Sequence, residues 1–234
     1  MAVTLSTADG AMDVYEAAPD GEPKGAVIVI QEAFGVNDHI QDVTRRFAAA
    51  GYLGVAPALF HRAGGGNAPY DDFSKVMPLF EGVSDDGVLA DVDATIAHLE
   101  AQGFEKSRIG IVGFCFGGRV TFLVALRREV GAAVGFYGGG IVSSSPLGFA
   151  ALVDEASDLR TPWLGLFGDL DKGIPVDDVE ALRVALRDAP VANEIVRYAD
   201  AEHGFHCDAR DAYHEPSAVD AWRRTLEWFD THLG

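Results

Sequence analysis

The sequence predicts an α/β fold: a mostly parallel central sheet with helices on both faces, formed by one domain over residues 1–234. Three observations carry this expectation. Short apolar runs without a polar face recur along the chain, as in strands buried on both sides. Stretches with helical spacing separate them, so strands and helices alternate. Neither an internal repeat nor an inter-domain linker interrupts the 234 residues, of which 48% are hydrophobic and 23% charged, the balance of a globular chain.

The first element departs from the rest. "VTLS" and "MDVYEA" alternate on either side of the turn "ADG", which predicts an antiparallel hairpin at one edge of the sheet. The apolar runs follow: "AVIVI" (26–30), "YLGVA" (52–56), "IGIVGF" (109–114), "AAVGF" (132–136), "WLGLF" (163–167) and "EIVRY" (194–198). Between them, "DHIQDVTRRFAAAG" (38–51) ends on Gly51, a residue suited to a helix C-terminus. The helix expected over 84–103 opens on Ser84 as N-cap, with acids next that favour the helix dipole. In "VDDVEALRVALRDA" (176–189), Val179, Leu182, Val184 and Leu186 mark the expected buried face. In "PSAVDAWRRTLEWFDTHL" (216–233) the expected stripe is Trp222, Leu226 and Phe229. The irregular stretch 61–82, "HRAGGGNAPYDDFSKVMPLFEG", is a long insertion expected to cover a site as a lid.

Composition narrows the function classes. A net charge of −18 repels nucleic acid and anionic membranes, which excludes both as partners. Cys115 and Cys207 form neither a disulfide framework nor a metal cluster, and no metal or cofactor is expected. The start "MAVTLSTADG" lacks the basic and apolar regions of a secretory signal, and no apolar run approaches the roughly 20 residues of a membrane helix. A cytoplasmic protein with free thiols is expected.

The chemistry centres on "GFCFGGR" (113–119). Its G-x-C-x-G spacing is that of a nucleophile elbow with cysteine where serine is usual, between an expected strand and the helical "GGRVTFLVAL". In that context Cys115 stands at the C-terminal end of the sheet, and the N–H of Phe116 faces a developing oxyanion. The acid and the histidine should follow in that order. Asp171 comes just past "WLGLF", with Asp169 as its rival; His203 comes in the loop after "EIVRY", with His206 as its rival. All three positions fall on one rim of the sheet. Taken alone, Cys115 is better explained as an inert packed thiol; Asp171 and His203 reverse that reading. Glu32 ends an apolar strand, where its carboxylate requires a cleft or a hydrogen-bond donor.

The chain resembles the dienelactone hydrolase family of α/β-hydrolases over nearly its whole length. The resemblance rests on "QEAFGVN" (31–37), "GYLGVAPALFHR" (51–62), "GIVGFCFGGR" (110–119), "FYGGG" (136–140), "GDLDKGIP" (168–175) and "HGFHCD" (203–208), in that order. It implies a Cys115–Asp171–His203 triad and an oxyanion hole made by the N–H groups of Phe116 and Ala33. It also implies that Glu32 contacts the nucleophile and regulates its ionisation, and that a monomer hydrolyses a small-molecule ester or lactone through a thioester. Phe34, Tyr137, Lys75, Arg119, His206 and Cys207 are the implied substrate-pocket candidates. The founding type holds an anionic substrate with two arginines. Here Cys207 stands four residues past His203, only Lys75 occupies the other region, and neither Arg119 nor Arg210 matches. The alternative is a noncatalytic or redox-responsive binding protein on the same fold, with a Cys115–Cys207 pair as one form of it.

Overall fold

A computed structural model of the chain describes residues 2–145 and 147–234. Strands β1 (Ala2–Thr7) and β2 (Gly10–Ala17) form the expected hairpin, paired from Ala2–Tyr15 to Thr7–Gly10. Gly10 turns the chain at φ +126°, a conformation other residues rarely adopt. Six further strands complete the sheet: β3 (Ala26–Ile30), β4 (Leu53–Pro57), β5 (Ile109–Phe114), β6 (Ala132–Phe136), β7 (Trp163–Gly168) and β8 (Asn193–Tyr198). Their order is β1-β2-β4-β3-β5-β6-β7-β8, antiparallel through the β2–β4 pair and parallel from β4 onward. Every residue of β3, β4, β5, β6 and β7 is buried, which is why their sequences are apolar throughout. The β4 run begins one residue later than "YLGVA" suggests, because the Tyr52 N–H donates back to the Phe47 carbonyl at 3.0 Å and not to a neighbouring strand.

The helices are α1 (Asp38–Ala49), α2 (Val76–Leu79), α3 (Asp85–Ala101), α4 (Phe116–Arg127), α5 (Val176–Ala185) and α6 (Glu215–His232). Ser84 caps α3 as expected, accepting from the Gly87 N–H at 3.1 Å. Two β5 glycines show that helices cover both faces. A Cβ on Gly110 would meet Phe229 of α6, and a Cβ on Gly113 would meet Gly117 of α4. These positions are three apart, so they point to opposite faces.

Two expected stripes need correction. On α5, Val179 and Leu182 are buried and Leu186 is buried just beyond it, but Val184 is 53% exposed. At 100° per residue Val184 lies about 200° from Leu182 and so faces solvent. On α6, the buried line runs through Ala218, Ala221, Thr225 and Phe229, leaving Trp222 and Leu226 on its flank. Trp222 still packs on Phe47 of α1 at 4.6 Å between ring centroids.

The 61–82 stretch consists of 3-10 turns at His61–Ala63 and Phe73–Lys75 followed by α2. Its start is pinned to α3. The fully buried Asp91 carboxylate accepts from Arg62 at 2.6 and 3.0 Å and meets His61 Nε2 at 3.0 Å. Beyond the C-terminal ends of β3, β5, β7 and β8 come Glu32, Cys115, Asp171 and His203, so the topology collects them on one rim.

Candidate active site

Cys115 joins β5 to α4 at φ 55°, ψ −114°. A non-glycine residue at such angles carries about 1–3 kcal/mol of strain, held only where the surroundings fix it. The fixing is visible. The Cys115 N–H donates to Phe136 O at 3.0 Å, and the Cys115 carbonyl accepts from the N–H groups of Gly118 and Arg119 at 2.9 and 3.3 Å. The neighbouring glycines are required for close approach. A Cβ on Gly113 would collide with the Gly117 carbonyl, and one on Gly117 would lie 2.6 Å from the carbonyl oxygens of Ile30 and Gln31. The elbow is thereby pressed against the end of β3, the strand that leads into Glu32 and Ala33.

Asp171 follows β7 and is 5% exposed. Its Oδ1 accepts from the Gly173 N–H at 2.8 Å and its Oδ2 meets His203 Nδ1 at 2.6 Å. Asp169 is occupied elsewhere, taking both forks of Arg197 at 2.8 Å. Burial pulls the His203 imidazolium down, but the Cys115 charge, hydrogen bonds to Asp171 and Cys115, and the Asp171 charge outweigh it and raise the group to about 10. Cys115, Asp171 and His203 line one cavity of about 650 Å³, together with Ala33 and Phe116.

Glu32 is fully buried. Its Oε2 accepts from the Tyr70 hydroxyl at 2.8 Å, and its Oε1 lies 3.5 Å from Arg210 Nη1. The Cys207 thiol in turn donates to Tyr70 at 3.4 Å. Among the described residues the carboxylate's partners are Tyr70 and Arg210, not Cys115, so the contact implied by the resemblance is absent in this arrangement. Burial and then the Glu32 charge push the Tyr70 phenol well up, which keeps it a neutral donor. The Cys207 thiol is likewise raised, by burial first, with the Glu32 charge adding to it against the Tyr70 hydrogen bond.

Of the six pocket candidates, the cavity wall includes Arg119 alone. Arg119 is 1% exposed and its donors are spent on Asp85 at 2.6 and 2.9 Å and on the carbonyls of Gly140 and Ala150. Phe34 is buried behind the rim with its ring 4.6 Å from Tyr70. Tyr137 is fully buried at φ 37°, its ring centroid 5.1 Å from that of His203. Lys75 is exposed outside the wall. Cys207 is buried on Tyr70. His206 packs between Phe114 and Trp222 in the core, and burial lowers it to about 3, so it is neutral. For Phe34, Tyr137, His206 and Cys207, burial in the core is what a motif string could not separate from pocket placement.

Tyr70, Phe73, Met77, Leu170 and Ile174 carry no local signal in the sequence. The Tyr70–Glu32 bond spans 38 positions and depends on how the 61–82 stretch folds back. Among the described residues no group of three or more His, Cys, Asp or Glu side chains is placed to hold a metal ion, and no helix is long and apolar enough to cross a membrane.

Comparison with known proteins gives a consistent result. Residues 12–233 match the dienelactone hydrolase family. An Escherichia coli O157:H7 protein, provisionally named a carboxymethylenebutenolidase, is 44% identical over 231 residues, 95% of this chain and 83% of its own. A Bradyrhizobium protein, named with a similar qualifier as a 2-oxo-3-(5-oxofuran-2-ylidene)propanoate lactonase, is 30% identical over 213 residues, 89% of this chain and 84% of its own. A crystal structure of a provisionally assigned dienelactone hydrolase from Klebsiella pneumoniae subsp. pneumoniae superposes with a TM-score of 0.88 at 41% identity, covering 98% of each chain. With its eight-stranded, mostly parallel sheet between helices, this chain belongs to the dienelactone hydrolase family and has that family's α/β-hydrolase fold.

Proposed function

We propose that the protein is a cysteine-dependent hydrolase of small-molecule esters or lactones, acting through a thioester. The observation that carries this reading is His203, bonded through Nδ1 to the Asp171 carboxylate at 2.6 Å and lining the same cavity as Cys115 at the elbow. In such an arrangement the imidazole serves as the proton carrier for the thiol. Thiolate Sγ attacks the carbonyl carbon, and the oxyanion that forms is held by the N–H groups of Phe116 and Ala33. Collapse breaks the bond to the alkoxy or enol oxygen, which leaves with the proton of His203. Water then adds to the thioester as His203 takes its proton. The carbonyl returns, the C–S bond breaks and the carboxylic acid product departs. The lactonase name of the Bradyrhizobium relative supports a lactone as one substrate form.

In this reading Glu32 regulates the thiol from its seat between Tyr70 and Arg210, and the 61–82 segment, which places Phe73 and Met77 at the cavity, acts as a cover over bound substrate. Two unpaired cysteines support a reducing compartment such as the cytoplasm. The test compares wild type with Cys115→Ala and Cys115→Ser on p-nitrophenyl acetate and on a set of lactones. Loss of kcat/KM by about 10³-fold or more is expected, with an acyl adduct on Cys115 trapped by acid quench and mass spectrometry. Full activity in Cys115→Ala overturns the reading. Absence of turnover with ready alkylation of Cys115 returns the noncatalytic alternative.

A further inference from the structure

Three of the exposed large apolar side chains surround one opening. Phe73 is 60% exposed, Met77 53% and Leu170 52%, and all three line the cavity that holds Cys115. They come from two separate segments, Phe73 and Met77 from the 61–82 stretch and Leu170 from the loop that carries Asp171. Apolar area left open to water in this way marks a binding surface when it is clustered, whereas single exposed side chains need no explanation. Deeper in the same cavity stand Ala33, Phe116 and Ile174, so apolar side chains lie both at the mouth and beside Cys115.

Two of the cavity's cations, Arg119 and Arg210, face groups of the protein itself. Arg119 is held by Asp85 and two carbonyls. Arg210 faces Glu32 at 3.5 Å and lies over the rings of Phe34 and Tyr70. Lys172 and Glu202 also stand on the wall, one charge of each sign. The net charge of −18 further opposes the approach of an anion.

We infer that the site takes an uncharged ester or lactone bearing an alkyl or aryl arm, and that Phe73, Met77 and Leu170 hold this arm. The inference rests on the hydrolase reading above and names its substrate class. Taking up one methylene in an apolar site favours binding a few-fold, so four methylenes on a partly open rim should raise kcat/KM by about tenfold or more. Because Phe73 and Met77 are more than half exposed, replacing them with serine removes the apolar contact without opening the core.

The experiment uses two ester series, one lengthening the acyl group of p-nitrophenyl esters from acetate to hexanoate, the other lengthening the alcohol of an acetate ester. Rates are normalised to alkaline hydrolysis. The mono-p-nitrophenyl ester of adipic acid supplies an arm of similar length ending in a carboxylate. The expected result is a rise of about tenfold or more along at least one series, the adipate ester below the hexanoate, and a long-to-short ratio cut by about threefold or more in Phe73→Ser/Met77→Ser. Flat series in both directions, preference for the adipate ester, or an unchanged ratio in the double variant overturns the inference while Cys115-dependent hydrolysis of the acetate still stands. If Cys115→Ala hydrolyses the acetate as fast as wild type, the hydrolase reading itself falls and takes this inference with it.

Discussion

Cys115 shows how much of the site depends on single residues. Its left-handed backbone aims the thiol away from the sheet, and that backbone exists only because Gly113 and Gly117 carry no side chain. Gly117→Ala should therefore destabilise the protein by about 3 kcal/mol or more, since the new Cβ would meet backbone oxygens that cannot swing aside, as measured by the urea midpoint. The Cys115–His203 pairing makes a second prediction. Removing the Cys115 charge and hydrogen bond in Cys115→Ala should move the His203 titration to lower pH, followed by NMR of the imidazole; an unchanged titration would show that Asp171 alone sets it. The linked stability has a definite sign. A folded-state value near 10 lies above the ordinary 6.5, so this contribution is fully present below pH 6.5 and is lost as pH rises towards 10.

At the scale of elements, the rim is assembled from segments that each need an anchor. The elbow is anchored by the end of β3. The 61–82 stretch is anchored by the buried Asp91 of α3, which neutralises Arg62 and meets His61. Asp91→Ala leaves Arg62, whose side chain is 9% exposed, and His61 without that carboxylate. Breaking a buried pair from one side costs about 3–5 kcal/mol. The expected outcome is a lower unfolding midpoint, together with a rise in KM larger than any fall in kcat, because Tyr70, Phe73 and Met77 lose their fixed origin. Retained stability in this variant would mean that the segment's other contacts hold it. The stripe on α5 teaches a smaller lesson. Val179 and Leu182 obey helical spacing with Leu186, and Val184 does not, so periodicity counted residue by residue identifies the buried face better than apolar content does.

For the whole molecule, the acid limb of stability should be set partly by histidines sealed in the core. Burial holds His206 near 3 and also lowers His39, whereas both titrate near 6.5 when unfolded. The unfolded chain thus binds protons that the folded chain refuses below pH 6.5, and stability falls as pH drops from there towards 3. His206→Phe, which keeps an aromatic ring among Phe114, Phe136 and Trp222, should shift the acid-unfolding midpoint to lower pH in a circular-dichroism titration.

The division between sequence and structure follows from the range of the forces involved. Strand runs such as "AVIVI" and "IGIVGF", the Ser84 cap, the elbow glycines and the order of Cys115, Asp171 and His203 were legible because burial on both faces, capping and tight turns impose rules on neighbours in the chain. Family resemblance then tied six separated motifs into one fold. What tertiary structure alone decided was contact across long separations. It separated Asp171 from Asp169 by giving the latter to Arg197, brought Tyr70 and Arg210 to Glu32, and put Phe34, Tyr137, His206 and Cys207 behind the cavity wall. It also gathered Phe73, Met77 and Leu170 around one mouth. Side chains of the same kind fill cores and line pockets alike. Which of the two each one does depends on packing between elements, and no local pattern encodes that.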